Sequence, residues 1–278
     1  MYTYTGAQTV LHLLSLLLYL GAGGWSVYRL WRKKEKHHPA VTLLVVAGLL
    51  ANLVLISWIM IDRGQRSVPG KFETITGLTA GIVFMSLLLR SYANTPLTIP
   101  AGTLIGAVLL GLATLFLMRP TAPSSTLSFD AWLMIHVSVI VLSYMVFTMG
   151  FICGLMFLLQ DRVVRSKNSG FFLKSLPSLE LSESLSKTSI LIGFPLLSLG
   201  ILLGILGGEY LIDEQLHMAW YQDPKVVVSM VTWGVYGGLL LLRELWLVRG
   251  RKFAYLSILG FGMVLVTIFV DVLWQGIH

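Results

Sequence analysis

Eight apolar stretches, each long enough to cross the ~30 Å hydrocarbon core of a bilayer, constrain this chain more than anything else in it. They lie at about 8–30, 40–61, 73–90, 98–118, 131–159, 189–207, 225–247 and 253–274. In hydrocarbon every backbone N–H and C=O must find a partner within the protein, which leaves helices or closed barrels. The runs are continuously apolar rather than alternating with period two, and this selects helices. Composition agrees: 56% of residues are hydrophobic and 12% charged, whereas a soluble domain carries about 25% charged residues. The expected fold is therefore all-α, a polytopic membrane protein with about eight transmembrane helices forming a single transmembrane domain over 1–278. The first run is too long, and too soon followed by a second, for a cleaved signal peptide, and it counts as a span.

Charge sets direction and excludes partners. The formal charge of +7 does not point to nucleic acid, because the basic residues fall in short bursts between spans. One set of alternate loops holds fifteen Lys and Arg, the other five (Arg63, Arg66, Lys71, Arg119 and Lys225). Basic residues concentrate on the cytoplasmic side, so both termini are expected to be extracytoplasmic. The segments 62–72, 119–130 and 208–224 are then external. The longest cytoplasmic loop is 160–188, with a short surface helix expected at its polar part, residues 179–187. A lone cysteine, Cys153, excludes an internal disulfide framework and multi-thiolate metal sites.

The histidines need more explanation. His136 lies six residues into the fifth span, roughly 9 Å below its outer end at ~1.5 Å per residue. An ionisable side chain at that depth usually has a partner or a ligand. His278 falls at the outer end of the eighth span, which puts both imidazoles on one leaflet. Two neutral imidazoles on separate elements can occupy both axial positions of a haem iron while apolar walls hold the macrocycle. The commoner arrangement is a hydrogen bond from His136 to a neighbouring helix and a solvated His278. His12, at similar depth in the first span, and His217, in the 208–224 loop, are rival ligands, and spacing does not choose among the four. His37 and His38 close a basic run and are expected to be solvated.

The external strip Glu209 to Lys225 is amphipathic and aromatic, and Asp223-Pro224-Lys225 supplies a helix start, with Asp as N-cap and Pro in the first turn. Trp220 and Tyr221 can stack on a flat conjugated ligand. They can equally belong to an interfacial belt with Trp25, Trp132, Trp233 and Trp274.

Taken together, Trp132-Leu-Met-Ile-His136-Val-Ser-Val-Ile-Val-Leu-Ser-Tyr144, Trp220-Tyr-Gln-Asp-Pro-Lys225, Thr232-Trp233-Gly-Val-Tyr236 and Arg243 resemble the cytochrome c assembly family. That family includes CcsA/ResC and the smaller HemX-like and YpjD-like haem-handling proteins. The resemblance is strongest from about residue 130 onward. Lys71-Phe-Glu-Thr74 and the Gly193-Phe194 to Gly204 stretch are also similar to family segments. In CcsA-type proteins a tryptophan-rich WWD loop presents haem between two histidines, one in an Ile-His-Val-like context and one in a Gly-Leu-His-like context after the last helix. His136 matches the first, and Gly276-Ile277-His278 the second. The resemblance implies haem b with His136 and His278 as axial ligands, and Trp220, Tyr221 and Trp274 walling the porphyrin beside Asp223. Lys225, Arg63, Arg66 or Arg119 would pair with its propionates.

Two departures bear on function. Aligned on Asp223-Pro224-Lys225, the family's Trp-Gly-x-x-Trp-x-Trp-Asp run falls on Leu216, His217, Trp220 and Gln222, so one tryptophan of three survives and the loop is degenerate. A further family histidine aligns with Leu241, which removes a second, membrane-embedded ligand. The implied function is a haem b binding protein of the bacterial cytoplasmic membrane, acting in cytochrome c assembly or in HemX-like control of haem synthesis through a cytoplasmic enzyme. The alternative is the catalytic CcsA-type subunit of a system II synthase, working with a ResB/CcsB-like partner on apocytochrome c. A secondary transporter is disfavoured, because that class places acids and broken helices at the midplane, whereas here nearly all acids sit near span ends and Pro195 is the main internal breaker.

Overall fold

A computed structural model describes residues 4–32, 38–63, 71–93, 96–116, 131–166, 176–211, 224–245 and 247–275. Among these residues there are eight α-helices and no strands: α1 (Gly6–Trp31), α2 (Pro39–Arg63), α3 (Lys71–Ala93), α4 (Thr98–Phe116), α5 (Ala131–Arg165), α6 (Leu179–Leu211), α7 (Pro224–Glu244) and α8 (Arg251–Gln275). All eight are long and apolar enough to cross a membrane, so the chain is a multi-pass membrane protein. α5 and α6, with 35 and 33 residues, would each extend about 50 Å and overrun the hydrocarbon core. Both ends of the 160–188 segment are accordingly helical. Residues 179–187 are the opening turns of α6 rather than a separate surface helix, because Glu183 and Lys187 pair with Arg243 and Glu244 of a neighbouring helix.

The chain packs as two compact units, one built on α1–α4 and the other on α5–α8. In unit 1, α1 lies against α2 and α4, and α3 against α4 and α2, which closes a four-helix ring. The start of α1 is fixed by reciprocal capping: the Thr5 hydroxyl accepts from the Gln8 N–H at 3.3 Å, and Gln8 Oε1 accepts from the Thr5 N–H at 3.0 Å. Such a box satisfies two of the helix's orphan donors. Tyr19, Ala22, Val41, Val45, Val83, Ile99, Ala107 and Leu110 form the apolar core. Lipid tails are as apolar as these side chains, so the helices associate through close packing, for which small residues are required. Gly48 on α2 lies under the Tyr19 ring, where a Cβ would stand 2.8 Å from Tyr19 Cε1. At the opposite end, Arg90 Nη1 donates to Thr42 Oγ1 at 2.7 Å, joining α3 to α2.

In unit 2, α5 and α6 form the most extensive seam, α8 packs on α5, and α7 packs on α8 and α6. Phe147 and Tyr236 stack at 3.7 Å with their planes 4° apart, and both are fully buried. Phe151 stacks on Phe261 at 4.6 Å. A hairpin turn joins α7 to α8 through Gly250, whose φ of +57° is a left-handed conformation that a Cβ disfavours. Its N–H donates to Glu183 Oε1 at 3.2 Å. Around this turn four helix ends are tied by charge: Arg243 to Glu183 at 2.8 Å, Lys187 to Glu244 at 3.0 Å, and Arg251 to Asp161 at 2.9 Å.

Candidate functional site

The other end of unit 2 carries the polar residues of interest. Trp132 and His136 stand one helical turn apart on α5, on the face that meets α6. The Trp132 indole Nε1–H donates to the Leu203 carbonyl at 2.7 Å. His136 Nδ1 donates to the Gly200 carbonyl, also at 2.7 Å. Two turns further along, the Ser143 hydroxyl donates to the Gly193 carbonyl at 2.9 Å. α6 can come this close because it presents glycine at each contact. A Cβ on Gly204 would lie 2.5 Å from His136 Cε1, one on Gly200 2.6 Å from Ile140 Cγ1, and one on Gly193 2.6 Å from Phe147 Cε1; one on Gly207 would strike the Trp132 indole. These four glycines repeat at helical spacing along a single face of α6.

The His136 bond has a chemical consequence. A carbonyl oxygen only accepts, so Nδ1 carries the hydrogen and a neutral imidazole keeps its lone pair on Nε2. Metal-ligating histidines generally donate their second ring N–H to a carbonyl or carboxylate, which fixes the ring and raises its basicity. His136 is half-buried rather than sealed. Its donor chemistry therefore fits a haem iron ligand acting through Nε2.

Inter-helix contacts give the level of the neighbouring elements. α5 and α8 run antiparallel, with Gly154 against Ser257 and Phe151 against Phe261. Continuing that register brings the last turn of α8, which contains Trp274, level with the first turns of α5. On α7, Trp233 Nε1 donates to Ser198 Oγ at 2.8 Å and its ring stacks on Phe194. The same reasoning brings the first turn of α7, with Lys225, level with Gly204. The end of unit 2 at His136 is thus framed by the starts of α5 and α7 and the ends of α6 and α8.

Of the site residues expected from sequence, His136 and the exposed Lys225 are described in full. The backbone of Trp274 is part of α8, but its side chain lies outside the described residues, as does that of Arg63 at the end of α2. His278, Trp220, Tyr221, Asp223, His217, Arg66 and Arg119 also lie outside them. His12 belongs to unit 1, where it is fully buried and its Nε2 is 2.7 Å from Thr114 Oγ1. Sequence reasoning missed Trp132 and the α6 glycines as positioning elements. Their signal was the recurrence of glycine at 193, 200, 204 and 207 on one helical face.

With this geometry in place, comparison with known proteins is informative. The sequence model of the family described as "Cytochrome C assembly protein" matches residues 13–278. The chain is 30% identical to the cytochrome c biogenesis protein CcsA of Guillardia theta over 78% of its own length and 77% of the relative's. It is 28% identical to CcsA of Thermosynechococcus vestitus, covering 95% and 92% of the two chains. Protein HemX of Brevibacillus brevis is 27% identical, over 73% of each. No solved structure matches. A match over nearly the whole chain, together with eight membrane helices and a carbonyl-oriented histidine at the start of the fifth, establishes that the chain belongs to the cytochrome c assembly protein family.

Proposed function

We propose that this protein holds haem b at the His136 end of unit 2, on the extracytoplasmic side of the bacterial cytoplasmic membrane. His136 Nε2 and an imidazole nitrogen of His278 would hold its iron. The observation that carries the proposal is the Nδ1–H bond to the Gly200 carbonyl, which presents the opposite ring nitrogen as a lone-pair donor. The antiparallel register of α5 and α8 supports the pairing, since it brings the last turn of α8 level with the first turns of α5. Trp220, Tyr221, Asp223 and Trp274 line the porphyrin, and Lys225, Arg63, Arg66 or Arg119 meets the propionates.

Iron held by two imidazoles would be poorly suited to oxygen activation and well suited to holding, presenting or sensing haem, or passing electrons. The chain's own part is to orient His136 through α6, to exclude water by the α5–α6 seam, and to offer an aromatic wall. The biological role is in cytochrome c assembly or in HemX-like control of haem synthesis with a cytoplasmic enzyme as partner. Visible spectra of the purified protein, oxidised and reduced, test the site. A low-spin b-type spectrum lost in both His136→Ala and His278→Ala is expected; its retention in both variants would falsify the axial pair.

The CcsA-named relatives, matched along most of the chain, favour a second reading as the catalytic subunit of a cytochrome c synthase with a ResB/CcsB-like partner. Leu241 in place of a family histidine and the degenerate aromatic loop weigh against it. In a deletion strain, cytochrome c maturation lost and restored only together with such a partner would select this reading. Unchanged cytochrome c with altered haem synthesis would select the HemX-like role.

A further inference from the structure

The interior of unit 1 is polar where its apolar spans give no reason for it to be. His12, Tyr19 and Asn52 are each fully buried, yet His12 Nδ1, the Tyr19 hydroxyl and both polar atoms of the Asn52 amide have no hydrogen-bond partner in the protein. His12 and Tyr19 lie two turns apart on one face of α1, about 10 Å along the axis. The Tyr19 ring covers Gly48 on α2, and Asn52, one turn on, lies beside its phenol without reaching hydrogen-bond geometry.

Proton accounting fixes what these groups ask for. The Thr114 hydroxyl donates its hydrogen to the Leu110 carbonyl at 2.8 Å. Its oxygen must therefore accept from His12, so His12 Nε2 bears the hydrogen and Nδ1 holds a bare lone pair. Ser15, Thr76 and Thr79, also buried, each donate to a carbonyl of their own helix and keep only acceptor capacity. A buried acceptor left unpaired costs about 1–3 kcal/mol. The set mixes donors and acceptors and its members are buried among four helices, so its occupant must be small and able to do both. Water meets these requirements, and sites with two to four polar partners hold it.

The two ends of this interior differ. Toward the chain's N-terminal end, all four helices bring polar side chains: Gln8 Nε2 donates to Asp62 Oδ2 at 2.7 Å, and the Tyr4 hydroxyl donates to Glu73 Oε1 at 3.1 Å. The Phe72 ring packs at a tilt against both Tyr4 and His12, with centroids 4.9 and 5.0 Å away. Asp62 is exposed and Glu73 buried. Thr114 completes the ring from α4. Beyond Tyr19, Ala22, Val41, Val45, Ile99 and Ala107 close the core.

We infer that unit 1 contains a hydrated, proton-accepting well that opens at the end bearing Asp62 and Glu73 and stops at Tyr19 and Asn52. His12 Nδ1 is its acceptor. A hydronium entering at this end transfers one proton to Nδ1, forming an N–H bond and leaving water. The apolar plug makes this a protonation site rather than a route across the membrane. It is independent of haem binding in unit 2.

Nuclear magnetic resonance of the full chain in lipid nanodiscs tests this on the unsubstituted protein. His12 is the one histidine followed by leucine, so pairwise histidine–leucine labelling identifies it. The expected result is a neutral ring with Nδ1 unprotonated and in exchange with water, converting to the doubly protonated form as pH falls. The double variant Tyr19→Phe, Asn52→Leu weakens the water exchange while the His136 signals stay in place. An Nδ1 with no water contact in the wild type, or a bare Nε2, overturns the inference. So does a proton leak in proteoliposomes that disappears in His12→Gln, since a leak requires an open path.

Discussion

The two units each bury a histidine about one and a half turns inside a helix, and they treat it in opposite ways. His12 in unit 1 is sealed, and its bonded nitrogen faces a side-chain hydroxyl. His136 in unit 2 is half-buried, and its bonded nitrogen faces a backbone carbonyl. A hydroxyl accepts or donates, so the His12 tautomer is settled only by what Thr114 does with its own hydrogen. A carbonyl can only accept, so the His136 tautomer is settled at once and cannot be altered without moving α6. The backbone-locked imidazole is the one suited to holding a metal in a fixed orientation. The side-chain-linked one can exchange a proton without rearranging a helix.

The largest expected effect tests this contrast directly. His136→Ala removes the low-spin b-type spectrum, whereas His12→Ala keeps it; loss of the spectrum in the His12 variant alone would reverse the assignment. Next comes Gly204→Leu, which drives a side chain into the His136 ring. Overpacking at such a contact costs about 1–3 kcal/mol, and the ring must turn away from the Gly200 carbonyl. Haem content of the purified variant should fall sharply, with Gly204→Ala intermediate.

Smaller effects sharpen the comparison through stability. Thr114→Val leaves the His12 Nε2–H without an acceptor at a fully buried position, a loss of about 1–3 kcal/mol. Trp132→Phe removes one hydrogen bond between helices at an exposed position, worth about 0.6 kcal/mol in membrane bundles. Thermal unfolding in detergent should rank Thr114→Val below Trp132→Phe, and the opposite order would mean that the unit 1 interior tolerates unpaired donors. The smallest effect is Tyr236→Phe. The Tyr236 hydroxyl is buried with no hydrogen-bond partner, and the stack on Phe147 survives its removal, so stability should hold within about 0.5 kcal/mol or rise.

Much of this architecture was legible in the chain. All eight spans were readable because the demand for internal backbone hydrogen bonding makes a membrane helix a local property of about twenty residues. His136 stood out for a similar reason, since an ionisable group deep in a span is costly wherever it points. The polar opening of α6 was less legible. Residues 179–187 look like a surface segment in isolation, and only Arg243 beside Glu183 and Glu244 beside Lys187 show why a helix continues through them. The glycines of α6 were visible as residues but silent as a pattern, because a missing side chain acquires meaning only from the neighbour that occupies the space.

The sequence by itself determined the eight spans and the positions of His12 and His136 within them, since hydropathy and depth depend on each segment alone. Tertiary structure decided which nitrogen of His12 and of His136 carries a proton and how closely α5 approaches α6. Those choices depend on a carbonyl or hydroxyl brought from more than sixty residues away. A hydrogen bond acts over about 3 Å, and no periodicity along one strand of chain encodes a contact at that range between two.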